Sequence, residues 1–409
     1  MSTLEALPTA SAQVVQAAAE FQWDGNKFEA GIGIAASGGG FRAMLFHAGA
    51  FLRLNELGLL PRAKRISSVS GGSIATGYLA CVWEALKQNE FKGFKQTYLE
   101  PVLAFSRQKI DVVDALTGAL PWKSSAAEQV ADSYDHYLFK QRTLQNLPDE
   151  PRFVFCATNL QSGVLWRFSK PYAGDYVVGR LDQPKLRLAQ AVAASSAFPP
   201  VLSPLTLKLP SGSLTSWGSG QGPIPDSQIA KFRERVLLTD GGVYDNHGIE
   251  PLVKRYSTVL VSDGGAPFSR TAELDTDWIS QLRRVLDVTD SQVRALRRRD
   301  LIDRLIAGNQ IADEAKLVSQ QAHGRMGAYW GIDTDPNKAN PPGALPCDPA
   351  MAHKLAQVET RLSDLGELTS KQLVNWGYVI CDRSIRSNYK GQFWQADPAW
   401  PYQEARLAE

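Results

Sequence analysis

Five short apolar runs in the chain end in small residues: GIGIAAS at 31–37, RISSVS at 65–70, FVFCAT at 153–158, VLLTDGG at 236–242 and TVLVSDGG at 258–265. They lack polar alternation, so they predict strands buried on both faces, and hence a parallel sheet covered by helices. The stretch from Phe41 to Leu57 places Met44, Leu45, Ala48, Phe51, Leu52 and Leu54 at three- and four-residue spacing and stops at Gly58, which predicts a helix. A second helix is expected after Gly71, running to about Gln88. From Leu274 to about Gln321 the pattern is again helical, with Trp278, Leu282, Val285, Val293, Leu296, Leu301 and Leu305 expected on one face. Two long stretches, 210–228 and 333–349, read as loops, and the first, carrying Trp217 and Ile224, is a candidate lid. The fold class is α/β.

Composition narrows the function classes. The chain has 409 residues, 44% of them hydrophobic and 21% charged, which excludes fibrous and disordered classes. With 44 Lys+Arg against 42 Asp+Glu the formal net charge is only +2, so no nucleic-acid partner is implied. The four cysteines, Cys81, Cys156, Cys347 and Cys381, form no CxxC pair, which speaks against a zinc knuckle or a disulfide framework and for a reducing compartment. The amino terminus lacks the basic start and dense apolar core of a secretory signal. No uncharged stretch is apolar enough for a membrane span. A cytoplasmic protein with neither signal peptide nor transmembrane helix is expected.

The strand ends carry the candidate chemistry, as open α/β sheets dictate. Ser37-Gly38-Gly39-Gly40-Phe41-Arg42 joins a predicted strand to a predicted helix, where bare N–H groups and a helix amino terminus favour an anion. No GK[ST] follows, so a nucleotide phosphate loop fits poorly. Ser68-Val69-Ser70-Gly71-Gly72-Ser73 is one residue away from the G-x-S-x-G nucleophile elbow, and Ser70 is the candidate nucleophile. A serine hydroxyl needs a base. Asp240 and Asp263, each opening a DGG, are both candidates, and His247 could complete a triad. No clustered metal-ligand set is present in the sequence, and the chemistry calls for no metal.

The order and spacing of SGGGFRAM, the serine elbow, ASSAFPPVLSP at 194–204 and DGGVYDN at 240–246 resemble the patatin-like phospholipase family, and the first motif is similar to its cytosolic phospholipase A branch. The likeness spans about residues 30–268. It implies a three-layer α/β/α fold with a mostly parallel central sheet and a Ser–Asp dyad without histidine. It further implies Ser70 as nucleophile, Asp240 as base, Gly38, Gly39 and Gly40 as the oxyanion loop, and Arg42 as a partner for substrate negative charge. Asp240 is preferred over Asp263 because only Asp240 is followed by the family's downstream Asn, here Asn246. The sequence departs from the family pattern at Ser68 and in the delay of the following proline to Pro251.

The expected organisation is an amino-terminal extension at 1–30, a catalytic domain at 31–270 and a mainly helical part at 271–409 packed on that domain. The expected activity is hydrolysis of acyl-lipid esters, phospholipids among them, with no cofactor. Two alternatives are a Ser-His-Asp esterase and a catalytically silent lipid-binding protein. Peripheral membrane contact is an open expectation, carried by the arginines of the 274–321 helix and by Phe393, Trp394, Trp400 and Tyr402 near the carboxyl terminus.

Overall fold

The computed structural model describes residues 28–110, 125–217 and 224–408. Most of the expected 1–30 extension, and residues 218–223 of the candidate lid, lie outside the described residues. Ten strands, β1 (Glu29–Ala36), β2 (Ala63–Ser68), β3 (Arg152–Asn159), β4 (Val164–Phe168), β5 (Tyr172–Asp175), β6 (Gly179–Asp182), β7 (Leu205–Lys208), β8 (Arg235–Asp240), β9 (Tyr256–Asp263) and β10 (Met326–Gly331), form one sheet. The principal helices are α1 (Gly40–Glu56), α2 (Gly71–Gln88), α3 (Leu188–Ser195), α4 (Trp278–Ile311) and α5 (Glu367–Asn388).

The five runs singled out by their small-residue ends are β1, β2, β3, β8 and β9. In the order β10-β9-β1-β2-β3 the strands are parallel, and an antiparallel arm β4-β5-β6 continues from β3. Side-chain alternation across the strands builds the two outer layers. Ile34, Ala36 and Leu260 enter the large core shared with α1, α2 and α5. Their neighbours Ala35, Val259 and Val261 pack with Leu301 and Leu305 of α4 on the other face. The chain is therefore the expected α/β/α sandwich around a mixed sheet that is parallel through its centre.

One strand departs from the sequence expectation. β8 is antiparallel, pairing Ala157 with Asp240 and Asn159 with Leu238. Since β4 occupies one edge of β3 along residues 155–159, β8 must lie on the other edge, where β2 has already ended opposite Phe155. β8 thus runs head-on toward the end of β2. Its apolar run does not reveal direction, because burial on both faces reads the same in parallel and antiparallel neighbours.

The carboxyl-terminal third completes the sheet and the core. β10 supplies an edge strand beside β9, and α5 crosses α1 closely enough that a side chain at Gly377 would collide with the carbonyl of Phe46. Arg53 of α1, fully buried, pairs with Asp382 of α5 at 2.7 Å. In α4 the single expected face splits: Leu301 and Leu305 are buried, whereas Trp278, Leu282, Val285, Val293 and Leu296 are exposed. At about 100° per residue the two groups point in different directions, and only the second half of the helix lies on the sheet.

Candidate active site

Ser70 sits at the turn between β2 and α2 with φ 52° and ψ −120°, a strained conformation for a residue with a side chain. Glycine follows because the turn is crowded: a Cβ on Gly71 would strike the carbonyl of Gly40. Ser70 is 8% exposed, so its hydroxyl stands in a largely dry site. That hydroxyl lies close enough to the carboxylate of Asp240, the last residue of β8, to favour its ionised form. The head-on approach of β8 to β2 is what brings the two ends together.

Burial raises the Asp240 carboxyl from its ordinary value to about 6, against the opposing bonds from the Gly242 N–H and the Ser70 hydroxyl. The Gly242 N–H donates to Oδ1 at 2.7 Å and fixes the carboxylate's orientation. A single carbonyl ties the two turns: Ser195, at the end of α3, accepts the N–H groups of both Ser70 and Gly241 at 3.2 Å. The Ser195 hydroxyl also receives the Ser70 N–H at 3.0 Å and donates to the carbonyl of Cys156 at 2.7 Å. The ASSAFPP segment by itself does not reveal what Ser195 holds. Its signal was present, but its target lies 125 residues earlier in the chain.

The glycine loop borders the serine, with Gly38 packed against the Ser70 side chain. The three glycines are not equivalent. The Gly38 N–H is taken by the carbonyl of Asn246 at 3.1 Å, whereas no described residue accepts from Gly39 or Gly40. Gly39 has φ 143°, a conformation open to glycine. Arg42 is buried, and two of its nitrogens are committed: Nε donates to the carbonyl of Gly264 at 3.1 Å and Nη1 to that of Val358 at 2.6 Å. Its Nη2, facing Gly39, is buried with no described acceptor. Burial, and then the nearby Arg294, lower the Arg42 guanidinium to about 10, with Asp263 opposing.

The second DGG has a different role. Asp263 Oδ1 accepts from the Ser37 hydroxyl at 2.9 Å and the Gly265 N–H at 3.0 Å, and Oδ2 accepts from Tyr329 at 2.8 Å and faces His247 Nε2 at 3.2 Å. Burial alone would raise this carboxyl, but His247, Arg294 and the Gly265 N–H hold it well below the ordinary range. Ser37 in turn accepts the Gly264 N–H at 2.8 Å. Asp263 therefore clamps the residue that precedes the glycine loop, and His247 belongs to that clamp. His47 supports the same residue from α1: its Nε2 donates to the Ser37 carbonyl at 2.9 Å and its Nδ1 accepts from Ser262 at 2.7 Å. Burial lowers His47 to about 4, leaving the ring neutral.

A cavity of about 500 Å³ opens at the amino ends of β1 and β2, lined by Gly31, Lys64, Trp83 and Tyr389. That is the far end of the sheet from Ser70.

A family model of patatin-like phospholipases matches residues 34–253, which is more than half of the chain and contains Ser70, Asp240 and the glycine loop. The chain belongs to the patatin-like phospholipase family. Among solved structures, human GIVD cytosolic phospholipase A2 is similar at 13% identity and a TM-score of 0.49, over 91% of this chain and 63% of that one. The same human protein in complex with methyl gamma-linolenyl fluorophosphonate gives a TM-score of 0.48 at 13% identity, over 91% and 60%. VipD from Legionella pneumophila is similar at 14% identity and a TM-score of 0.37, over 88% and 67%. The chain thus spans less than two thirds of the human protein's length. A comparison with curated proteins finds no match. Among the described residues no helix is long and apolar enough to cross a membrane.

Proposed function

We propose that the chain hydrolyses fatty-acyl esters of lipids, phospholipids among them, through a Ser70–Asp240 dyad. The observation that carries this reading is the meeting of the two turns, held by one Ser195 carbonyl that accepts from both Ser70 and Gly241, which sets buried Asp240, with its carboxyl raised by burial to about 6, beside the Ser70 elbow. As Oγ of Ser70 attacks the ester carbonyl, its proton passes to Asp240. The Gly39 and Gly40 N–H groups and Arg42 Nη2, the donors left unpaired at the loop, stabilise the oxyanion. Collapse breaks the ester bond, and the leaving alkoxide takes the proton from Asp240. Water then attacks the acyl-enzyme, gives its proton to Asp240, and Ser70 regains one as the fatty acid departs.

A histidine triad is less well supported, because His247 faces Asp263 and has no described contact with Ser70. The test joins three variants. Ser70→Ala and Asp240→Asn are each expected to lower ester turnover by about 10⁴-fold or more and to end labelling by a fluorophosphonate, since nucleophile and base act as a unit. His247→Gln is expected to stay within about tenfold of the parent, whereas a triad histidine would cost about a thousandfold or more. Parental turnover in Ser70→Ala or Asp240→Asn would defeat the dyad.

A further inference from the structure

The residue at which the elbow departs from G-x-S-x-G anchors a linked set of buried hydroxyls. Ser68, the last residue of β2, stands where that motif has its first glycine. Its hydroxyl accepts from Thr76 at 2.7 Å, lies 3.0 Å from the Ser73 hydroxyl and reaches the Val154 carbonyl at 3.5 Å. Thr76 also has the Gly72 carbonyl, one turn back in α2, at 2.9 Å. The Ser73 hydroxyl lies 2.8 Å from that of Ser195, which donates to the Cys156 carbonyl at 2.7 Å and accepts the Ser70 N–H at 3.0 Å. Ser68, Ser73, Thr76 and Ser195 are all fully buried, so no water competes for these bonds.

The set joins β2, α2, α3 and β3, and it ends on the amide of the nucleophile. That amide has to be held. Ser70 has φ 52°, a backbone that a residue with a side chain keeps only where its surroundings impose it. Both acceptors of its N–H belong to Ser195, the hydroxyl at 3.0 Å and the carbonyl at 3.2 Å. The carbonyl also serves Gly241, beside Asp240, whereas the hydroxyl serves the serine turn alone. What fixes the Ser195 hydroxyl is Ser73 and the Cys156 carbonyl, and what fixes Ser73 is Ser68, itself tied to Thr76. Linked hydroxyls add little net stability over well-packed apolar side chains, but each restricts the direction of the next.

We propose that Ser68, Ser73, Thr76 and Ser195 act together as positioning residues that hold the strained Ser70 backbone, and with it Oγ, at the angle of attack. This inference rests on the Ser70–Asp240 reading of the site. It gives Ser68, in place of glycine, a task in this chain.

The test uses the full chain and reads the rate of fluorophosphonate labelling at Ser70, kcat and KM on a water-soluble short-chain ester, and the melting temperature. Ser195→Ala is expected to lower labelling and kcat by about 10–100-fold with KM within about twofold of the parent, the scale of a misplacement by about 1 Å. Thr76→Val removes a hydroxyl and keeps the shape, and is expected to lower both rates by about three- to tenfold, whereas Thr76→Ser keeps the hydroxyl and is expected to stay within about twofold. A threonine that only filled space would give the reverse order, since serine leaves a methyl-sized gap and valine does not. Ser68→Ala combined with Ser195→Ala is expected to cost less than the product of the single losses, because the two act through Ser73. Parental labelling and kcat in Ser195→Ala would overturn the proposal, as would parental rates in Thr76→Val or losses that follow the melting temperature alone. Should Ser195→Ala not fold, the Thr76 pair decides. Asp240→Asn separates the two readings: if it is silent while Ser195→Ala is parental, only the positioning fails, and if it labels and turns over like the parent, the dyad fails and this inference with it.

Discussion

In the proposed mechanism Asp240 is the base, and its burial makes ionisation costly to the fold. Its carboxyl is raised from 3.8 to about 6, chiefly by burial. Because the proposed mechanism has Asp240 accept a proton, kcat/KM on a soluble ester is expected to fall about tenfold per pH unit below pH about 6 and to level off above it. The same shift has a stability consequence. Below about pH 4 both folded and unfolded chains hold the proton and nothing is lost. As pH rises toward 6 the unfolded chain releases its proton first, so folding becomes less favourable, by about 3 kcal/mol once both states are ionised. Asp240→Asn cannot ionise and escapes this cost. Its melting temperature is expected to exceed the parent's at about pH 8 and to converge with it near pH 4, and a variant less stable than the parent at pH 8 would contradict the assignment. Asp263 is the opposite case. Its partners, His247 and Arg294 foremost, keep it ionised, which suits a clamp and disqualifies it as a base at neutral pH.

At the scale of elements, the site depends on close approach. The elbow between β2 and α2 passes against the start of α1, and α1 is pressed from its other side by α5. At Gly377 a methyl group would meet the Phe46 carbonyl, a backbone atom that cannot rotate away. Gly377→Ala is expected to destabilise the protein by about 2–3 kcal/mol or more despite alanine's better helix propensity, as read from denaturant midpoints. Should Gly377→Ala stabilise the chain, the two helices do not cross this closely. β8 makes a related point about direction: only an antiparallel strand on the β2 edge of β3 can deliver its final aspartate to the end of β2.

For the molecule as a whole, the final third is part of the fold that holds the site. β10 covers the edge of β9, α5 buries the outer face of α1, and Val358 and Arg361 supply carbonyls to Arg42 and to the Phe41 N–H at the glycine loop. A chain ending at residue 270 would expose the apolar face of α1 and leave Arg53 buried without Asp382. Such a fragment is expected to aggregate on expression and to give no cooperative unfolding transition; a soluble, cooperatively folded fragment would show that the catalytic part is independent. The aromatic residues near the carboxyl terminus mostly serve this packing. Tyr402 is buried, and Phe393 and Trp400 lie against the core, while Trp394 stays exposed beside Gly58.

The five strands and the first two helices were legible in the sequence because they rest on local pattern: apolar runs buried on both faces, three- and four-residue spacing, and glycines where the backbone turns. Ser70 was legible for the same reason, since an elbow is a short-range motif. The two DGG tripeptides, by contrast, have one local signature and different surroundings. What separates Asp240 from Asp263 is which distant groups surround each. Ser70 lies 170 residues from Asp240, whereas Ser37 lies 226 residues from Asp263. The direction of β8, the Ser195 carbonyl shared by both turns, the sparing of Gly39 and Gly40 as free donors and the exposure of half of α4 were likewise decided only in the tertiary structure. Each depends on which surfaces meet, and hydrophobic periodicity records that a face is apolar without recording what, if anything, covers it.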